Sequence, residues 1–412
     1  MIHDLGKTDA PLTFQAATVF LPTESVETTV TVCNGKIVEI GGPVQGQVLD
    51  ARGKILAPAL IDVHGDAFER QVMPRPGVFF PMETAILETD RQLAANGIAT
   101  TYHSITLSYE PGLRSIERAR EMMVALRELA PRLTVENRVQ LRWETFAHEA
   151  LETLDWAFDA PLLPSLAFND HLSMSMRSKD TAIQDRLFEH NPDFAEMDQD
   201  DDALFAQRHV RHAERAGLQY EDYKALIHKT WERRADVVST MKTVASKARA
   251  KGIPMLSHDD TQAETRSFYR EIGATVAEFP MTMEPARSAR DNGDTLVFGA
   301  PNAVRGGSHI GSLSAADMVE EGLCDVLASD YYYPAMLAAI DRLDREKRAD
   351  RLALWALVTS GPARAMGLRD RGQIDIGKRA DLVLVDWPDG CTPAIQGTWV
   401  QGRPAYRAQP LG

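Results

Sequence analysis

Residues 13–56 alternate apolar and polar positions between turn signals. Thr29-Val30-Thr31-Val32-Cys33 runs into Asn34-Gly35, and Lys36-Ile37-Val38-Glu39-Ile40 runs into Gly41-Gly42. A side-chain period of two marks half-buried strands, and Asn-Gly between two such runs predicts a hairpin. The same texture returns near the C-terminus, where Gly372-Gln373-Ile374-Asp375-Ile376-Gly377-Lys378 leads into Ala380-Asp381-Leu382-Val383-Leu384-Val385-Asp386. The two ends, 1–56 and 371–412, are expected to pair into one small flanking β-sandwich domain.

Between them, short apolar strands alternate with helical stretches such as Ile116 to Glu128 and Asp236 to Lys251, the pattern of parallel α/β folds. Candidate strands are 58–63, 97–104, 138–145, 162–170, 253–258, 274–280, 295–300 and 323–329. Eight strands are what a closed barrel needs, so 57–370 is predicted to form a (β/α)8 TIM-type barrel. The longest connection, about 172–252, is polar and carries the acidic run Asp198-Gln199-Asp200-Asp201-Asp202. A structureless loop of that length is improbable, so it reads as helices covering one barrel mouth, or as a solvated excursion without a substrate role.

Composition narrows the class. The 412 residues are 44% apolar and carry a net charge of −14, which fits a globular protein and argues against a nucleic-acid partner. Cys33, Cys324 and Cys391 are too widely spaced for a zinc knuckle or disulfide framework, which suits a reducing compartment. No apolar run approaches the length of a membrane span, and the first residues lack a basic-then-apolar signal. The expectation is a cytoplasmic protein without a membrane partner; a homo-oligomer is left open.

The predicted strands end in metal-ligating residues. Pro58-Ala59-Leu60-Ile61-Asp62-Val63 delivers His64-Gly65-Asp66, with histidine and aspartate two apart and so on one side. Glu144 closes the third strand, Asn169-Asp170-His171 the fourth, Ser257-His258-Asp259-Asp260 the fifth and Ser329-Asp330-Tyr331 the last. All fall at the C-terminal barrel face, where barrel enzymes place their chemistry. Asp170, Asp259 and Asp260 are equally placed to cap helices. The candidate ligands are His64, Asp66, Glu144, His171, His258 and Asp330. Imidazole mixed with carboxylate suits zinc first, or manganese or iron(II). Six ligands predict two divalent ions, with Glu144 as the bridging carboxylate and Asp330 taking the proton of an activated water.

These residues resemble the amidohydrolase superfamily along essentially the whole chain. Two departures stand out: the superfamily's usual His-x-His becomes His64-x-Asp66, and Glu144 replaces a carboxylated lysine as the expected bridge. The single histidines His171 and His258 also follow strands four and five here, against a family convention of five and six. Within the superfamily the chain resembles the α-D-ribose 1-methylphosphonate 5-triphosphate diphosphatases of the carbon–phosphorus lyase pathway. The matching stretches are Asp62 to Arg70, Met73-Pro74-Arg75-Pro76-Gly77-Val78, Ser257 to Thr261, Glu278-Phe279-Pro280, Gly299 to His309 and Ser329 to Tyr332. The resemblance implies hydrolysis of a phosphorylated small molecule, a triphosphate, to a monophosphate with release of pyrophosphate. One stretch departs: Asp170-His171 is followed by Leu172-Ser173-Met174-Ser175-Met176-Arg177, where the family has Thr-Pro-Gly-Gln. A loop beside a metal ligand touches substrate, so substrate choice is where this chain is expected to differ. A C–N hydrolase, or a paralogue with another phosphorylated substrate, stays open, as does a barrel that only binds or assembles.

Substrate contacts are expected from Arg305, Ser308, His309, Arg177 and Arg75. Arg305-Gly306-Gly307-Ser308-His309 reads either as an anion cradle, glycine N–H groups beside Arg and His, or as a tight turn. Arg75, set between two prolines, either meets phosphate or clamps Glu69. His103, His148, His209, His212 and His228 are expected not to be ligands, the last three as helical surface residues.

Overall fold

The computed structural model describes residues 10–176, 189–191, 193–194, 202–307 and 313–408. The predicted contacts Arg177, Ser308 and His309 lie outside the described residues. Five strands open the chain: β1 (Leu12–Phe20), β2 (Ser25–Cys33), β3 (Lys36–Ile40), β4 (Gln47–Asp50) and β5 (Ile55–Pro58). Eight follow: β6 (Leu60–Gly65), β7 (Ile98–Leu107), β8 (Glu136–Glu144), β9 (Ser165–Asn169), β10 (Met255–His258), β11 (Val276–Glu278), β12 (Thr295–Gly299) and β13 (Val326–Ala328). The chain closes with β14 (Leu382–Asp386), β15 (Ala394–Val400) and β16 (Arg403–Arg407). Both chain ends meet in one mixed sheet of order β16-β15-β14-β5-β1-β2-β3, with β4 on β1. The strands β6 to β13 form the parallel barrel in sequence order, so the predicted eight strands and their count both hold.

Period-two patterning explains the barrel wall. On β8, Val139, Leu141 and Trp143 pack outward into the helical layer. Arg138, Gln140, Arg142 and Glu144 alternate with them and turn inward, where each meets a polar partner. Inside the barrel, Val63, Tyr102, Ala167, Leu256, Val276, Val297, Val326 and Ala328 form an apolar plug. Two residues beyond Leu256, Val276 and Ala328 stand His258, Glu278 and Asp330. The strand period lifts these polar groups one layer above the plug, to the C-terminal mouth.

The seam between β13 and β6 closes differently from the other strand pairs. Asp330 N donates to His64 O at 2.8 Å and Asp66 N to Asp330 O at 3.0 Å. The buried Asp62 carboxylate accepts from Ser329 Oγ at 2.5 Å and from Ser329 N at 3.0 Å. A Cβ on Gly65 would stand 2.5 Å from Asp62 Oδ2, so the residue between His64 and Asp66 must be glycine for the seam to form. The seam thereby brings the candidate residues of the first and last barrel strands together.

Most of the described part of the long excursion is helical: His171–Met176, Asp202–Ala216, Tyr220–Trp231 and Arg234–Ala250. It docks on the loop after β7, where Tyr223 Oη donates to Glu110 at 2.5 Å and Arg215 lies 3.6 Å from the same carboxylate. His209 is not a surface residue. It is buried against Phe205, ring centroids 4.1 Å apart, because the helix turns that face to the core. Among the described residues no helix is long and apolar enough to cross a membrane.

Candidate metal centre

Three clusters of ligand atoms share the mouth of the barrel: His64, Asp66 and Asp330; His64, His258 and Glu278; His171, His258 and Asp259. Within each, the atoms lie within 4.8 Å of one another. Five of the six predicted ligands are in these clusters, and the sixth, Glu144, stands behind His171. Its Oε1 lies 2.5 Å from His171 Nδ1, and its Oε2 accepts from His171 N at 3.3 Å. Glu144 therefore faces one histidine; the geometry of a bridge between two clusters is not what its oxygens make here. That contact turns His171 Nε2 towards Asp259 Oδ2, 3.9 Å away.

Glu278 was not among the sequence-predicted ligands, yet it sits at the centre. It is fully buried, with Oε1 2.9 Å from His64 Nδ1 and Oε2 3.0 Å from His258 Nδ1. Gln140 Nε2 donates to Oε1 at 2.9 Å. One carboxylate thus fixes imidazoles from β6 and β10 and leaves both Nε2 atoms for another task, as carboxylates behind metal-ligating histidines do. Its signal in the sequence is the one that marked the others, a carboxylate closing a short apolar strand. Asp259, equally placed by sequence to cap a helix or to bind metal, turns to the histidines, 3.9 Å from His171 Nε2 and 3.7 Å from His258 Nε2. Asp170 and Asp260 do carry structural bonds, to Ser173 N at 2.8 Å and to Ser257 Oγ at 2.7 Å.

The electrostatics follow the contacts. Burial would raise the Glu278 carboxyl, but His64 and His258 outweigh it and hold it well below the usual carboxylate range. Burial opposes the ionised Glu144 too, yet His171 and then Arg142 hold it down to about 2. Burial lowers His258, against the pull of Asp259 and Glu278, which favours the uncharged ring. Burial also disfavours charge on His64 and His171, but Glu278 and Glu144 respectively raise them. A divalent ion would take the place of those protons. Burial, then Asp66, pushes Asp330 up to about 6. Neutral imidazole and several carboxylates in contact distance form a donor set that fits a divalent ion such as zinc or manganese.

Asp259 and Asp330 hold left-handed backbones, φ 58° and 55°, one and two residues after their barrel strands. Phe279, φ 55°, does the same after Glu278 and lays its ring edge on His64 and His258 at 5.0 and 5.3 Å. Left-handed non-glycine residues after three of the barrel strands, β10, β11 and β13, are typical of a site held in shape by its surroundings.

The mouth opens into a pocket of about 210 Å³ that includes Arg114, Arg142 and Arg305. Arg305 was predicted; Arg114 and Arg142 were not, although Arg142 stands two residues before Glu144 and so shares its inward face. The glycine cradle does not form. Gly306 N and Gly307 N both donate to Asn302 O, at 3.1 and 3.2 Å, because Gly306 ends the helix Ala300–Arg305 in a left-handed turn. The Arg75–Glu69 clamp does not form either. Glu69 is held by Arg114, Nε and Nη2 at 2.9 and 3.0 Å, and Arg75 is exposed on a turn closed by Val78 N to Arg75 O.

Glu144→Gln is expected to weaken binding of a divalent ion by about 10- to 100-fold, because the amide no longer fixes the His171 ring. Titration of the metal-free chain with Mn²⁺ measures it; wild-type affinity in the variant would refute an orienting role.

Known proteins share this architecture. Residues 202–406 match the amidohydrolase family. The α-D-ribose 1-methylphosphonate 5-triphosphate diphosphatase of Escherichia coli K12 is 31% identical over 365 residues, covering 87% of this chain and 90% of that protein. Among solved structures, a zinc-bound adenosine deaminase from Xanthomonas campestris superposes with a TM-score of 0.60 at 12% identity, over 95% of this chain and 92% of its own. Phenylurea hydrolase B gives 0.62 at 12% identity, over 96% of each chain. L-hydantoinase from Arthrobacter aurescens gives 0.61 at 12% identity, over 98% and 97%. At such identities the solved structures speak to the fold, and the sequence relative to the family. A barrel with histidines and carboxylates gathered at its C-terminal mouth, a small sheet built from both ends and this relative together show that the chain belongs to the amidohydrolase family.

Proposed function

We propose that this metal-dependent hydrolase cleaves a phosphoanhydride, namely the triphosphate of a ribose 1-phosphonate 5-triphosphate, to a 5-phosphate and pyrophosphate. The observation that carries the reading is the company the candidate ligands keep: Arg114, Arg142 and Arg305 line the same pocket as His64, His258 and Asp330. A C–N substrate offers little negative charge for three guanidinium groups. A triphosphate offers oxygens that guanidinium binds as paired hydrogen bonds. The curated relative, whose name specifies a ribose 1-methylphosphonate 5-triphosphate, supports the same substrate class.

His64, Asp66 and Asp330, with His171, His258 and Asp259, would hold the divalent ion, zinc being favoured by the imidazole share of the set. Such an ion, when bound, supplies Lewis acidity and a water whose pKa lies near neutrality. The chain does the rest. Asp330 accepts the proton as the water oxygen attacks the α-phosphorus. The bond from that phosphorus to the α–β bridging oxygen breaks, and that oxygen leaves with pyrophosphate. The arginines hold the charge that gathers on the leaving group. Phe279, Phe298 and Met281 wall the pocket and limit bulk water.

The test is a panel with the metal-loaded enzyme: the ribose 1-phosphonate 5-triphosphate, nucleoside triphosphates, N-acyl compounds and cyclic amides. Pyrophosphate release from the ribose triphosphate at the highest kcat/KM is expected. Turnover of an acyl or cyclic amide with no pyrophosphate from any triphosphate would overturn the reading in favour of C–N hydrolysis.

A further inference from the structure

The ligand clusters are not empty of charge between them. Arg142 enters from β8 with its side chain almost wholly buried. Nη1 lies 3.4 Å from Asp66 Oδ2, and Nη2 lies 3.4 Å from His258 Nε2. Asp66 belongs to the first cluster and His258 to the other two. The guanidinium therefore spans the gap between the clusters, in contact with one ligand atom on each side. Its Nε is buried and has no hydrogen-bond partner among the described residues.

Asp66 pairs with Arg142 more closely than with Arg114, whose Nη2 lies 3.9 Å away and which Glu69 already holds through two hydrogen bonds. His258 meets Arg142 through Nε2, the ring nitrogen on the side away from Glu278 and the atom a metal would take. A guanidinium is always charged, because its pKa lies above any working pH. A divalent ion bound to both Asp66 and His258 would stand within a few ångströms of it, and like charges at that distance in a buried site repel strongly. Two divalent ions and Arg142 cannot share this space in the arrangement the structure holds.

We infer that Arg142 takes the place of the second cation. The centre carries one divalent ion and one guanidinium, in place of the two ions that its ligand count suggests. The inference rests on the metal-hydrolase reading but not on the choice of substrate. It gives the unusual pair His64-x-Asp66 a physical reason: an aspartate at the second position accepts from guanidinium nitrogens, which a neutral histidine does less well.

The experiment counts ions. The full-length chain is stripped with a chelator, loaded with excess Mn²⁺, desalted and analysed for metal per chain, with electron paramagnetic resonance on the same samples. Wild type is expected to hold one ion and to show the signal of isolated Mn²⁺. Arg142→Met keeps the aliphatic stem and removes the charge; it is expected to hold two ions and to show an exchange-coupled pair. Arg142→Lys keeps a cation and is expected to stay at one. Two ions in wild type would overturn the inference and leave the hydrolase reading intact, and this result needs no variant to fold. One ion in both wild type and a folded Arg142→Met would also overturn it. No ion in wild type would overturn the metal-hydrolase reading itself.

Discussion

Asp330→Asn is expected to lower kcat by about a hundred- to ten-thousand-fold, the contribution of a positioned general base, while KM and metal content stay near wild type. The seam holds this residue from both sides, through Asp330 N to His64 O and Asp66 N to Asp330 O. Its φ of 55° suits asparagine nearly as well as aspartate, so the substitution leaves the backbone where it is. The amide still offers an oxygen to an ion but accepts no proton. In the metal-free chain burial, reinforced by Asp66, lifts the carboxyl to about 6, so this site already disfavours a second negative charge beside Asp66. Steady-state kinetics with the ribose triphosphate and metal analysis of the same preparation check the split. A loss confined to KM, with kcat preserved at saturation, would mean that Asp330 serves binding only.

The barrel was legible because its two periods are strong. Short apolar runs at regular spacing gave all eight strands, and counting strand ends gave His64, Asp66, His171, His258 and Asp330. The offset against the family convention is real: His171 and His258 follow the fourth and fifth barrel strands, β9 and β10, and Glu278 closes the sixth. What sequence could not give was the partner of each group. Glu144 and Glu278 are equivalent by position, both closing a strand. Only the fold shows that one lies behind a single histidine and the other between two. Arg75 and Glu69 are neighbours in sequence, yet Glu69 faces Arg114 from the loop after β7. Gly306-Gly307 looked like an anion cradle because glycine pairs serve both uses, and here the need to end a helix wins. Arg142 stayed hidden for a plainer reason. A cation is not sought among metal ligands, although the alternation that placed Glu144 inward places Arg142 there too.

The second large effect lies at the other end of the same strand. Glu136 opens β8, roughly 26 Å from Glu144 at about 3.3 Å per residue. Its carboxylate gathers three guanidiniums: Arg138 Nε at 2.6 Å, Arg371 Nη1 at 2.8 Å and Arg379 Nη1. Arg371 and Arg379 belong to the segment that leads into β14, and Arg379 Nε continues to Asp381 Oδ1 at 2.9 Å. The cluster pins the barrel to the small sheet. Glu136→Gln leaves the buried Arg371 and Arg379 and the partly buried Arg138 without their shared anion, though Asp370 and Asp381 remain beside the first two, so it is expected to cost about 3 kcal/mol of stability, the lower end for loss of one partner from a buried ion cluster. Burial alone would raise the Glu136 carboxyl, but Arg379, Arg371 and Arg138 hold it down to about 2 from an ordinary 4.5. A folded-state pKa below the unfolded one means stability that is fully present above pH 4.5 and is lost as the pH falls from there towards 2. Urea unfolding, which unlike guanidinium salts adds no screening ions, should therefore show a constant gap between wild type and Glu136→Gln at neutral pH. The gap should narrow below pH 4.5, where the unfolded wild-type chain takes up a proton that the folded chain resists down to about pH 2. Because the cluster lies far from the pocket, kcat of the folded variant should match wild type. A gap that persists unchanged through the acid range would show that the side chain acts by shape and not by charge.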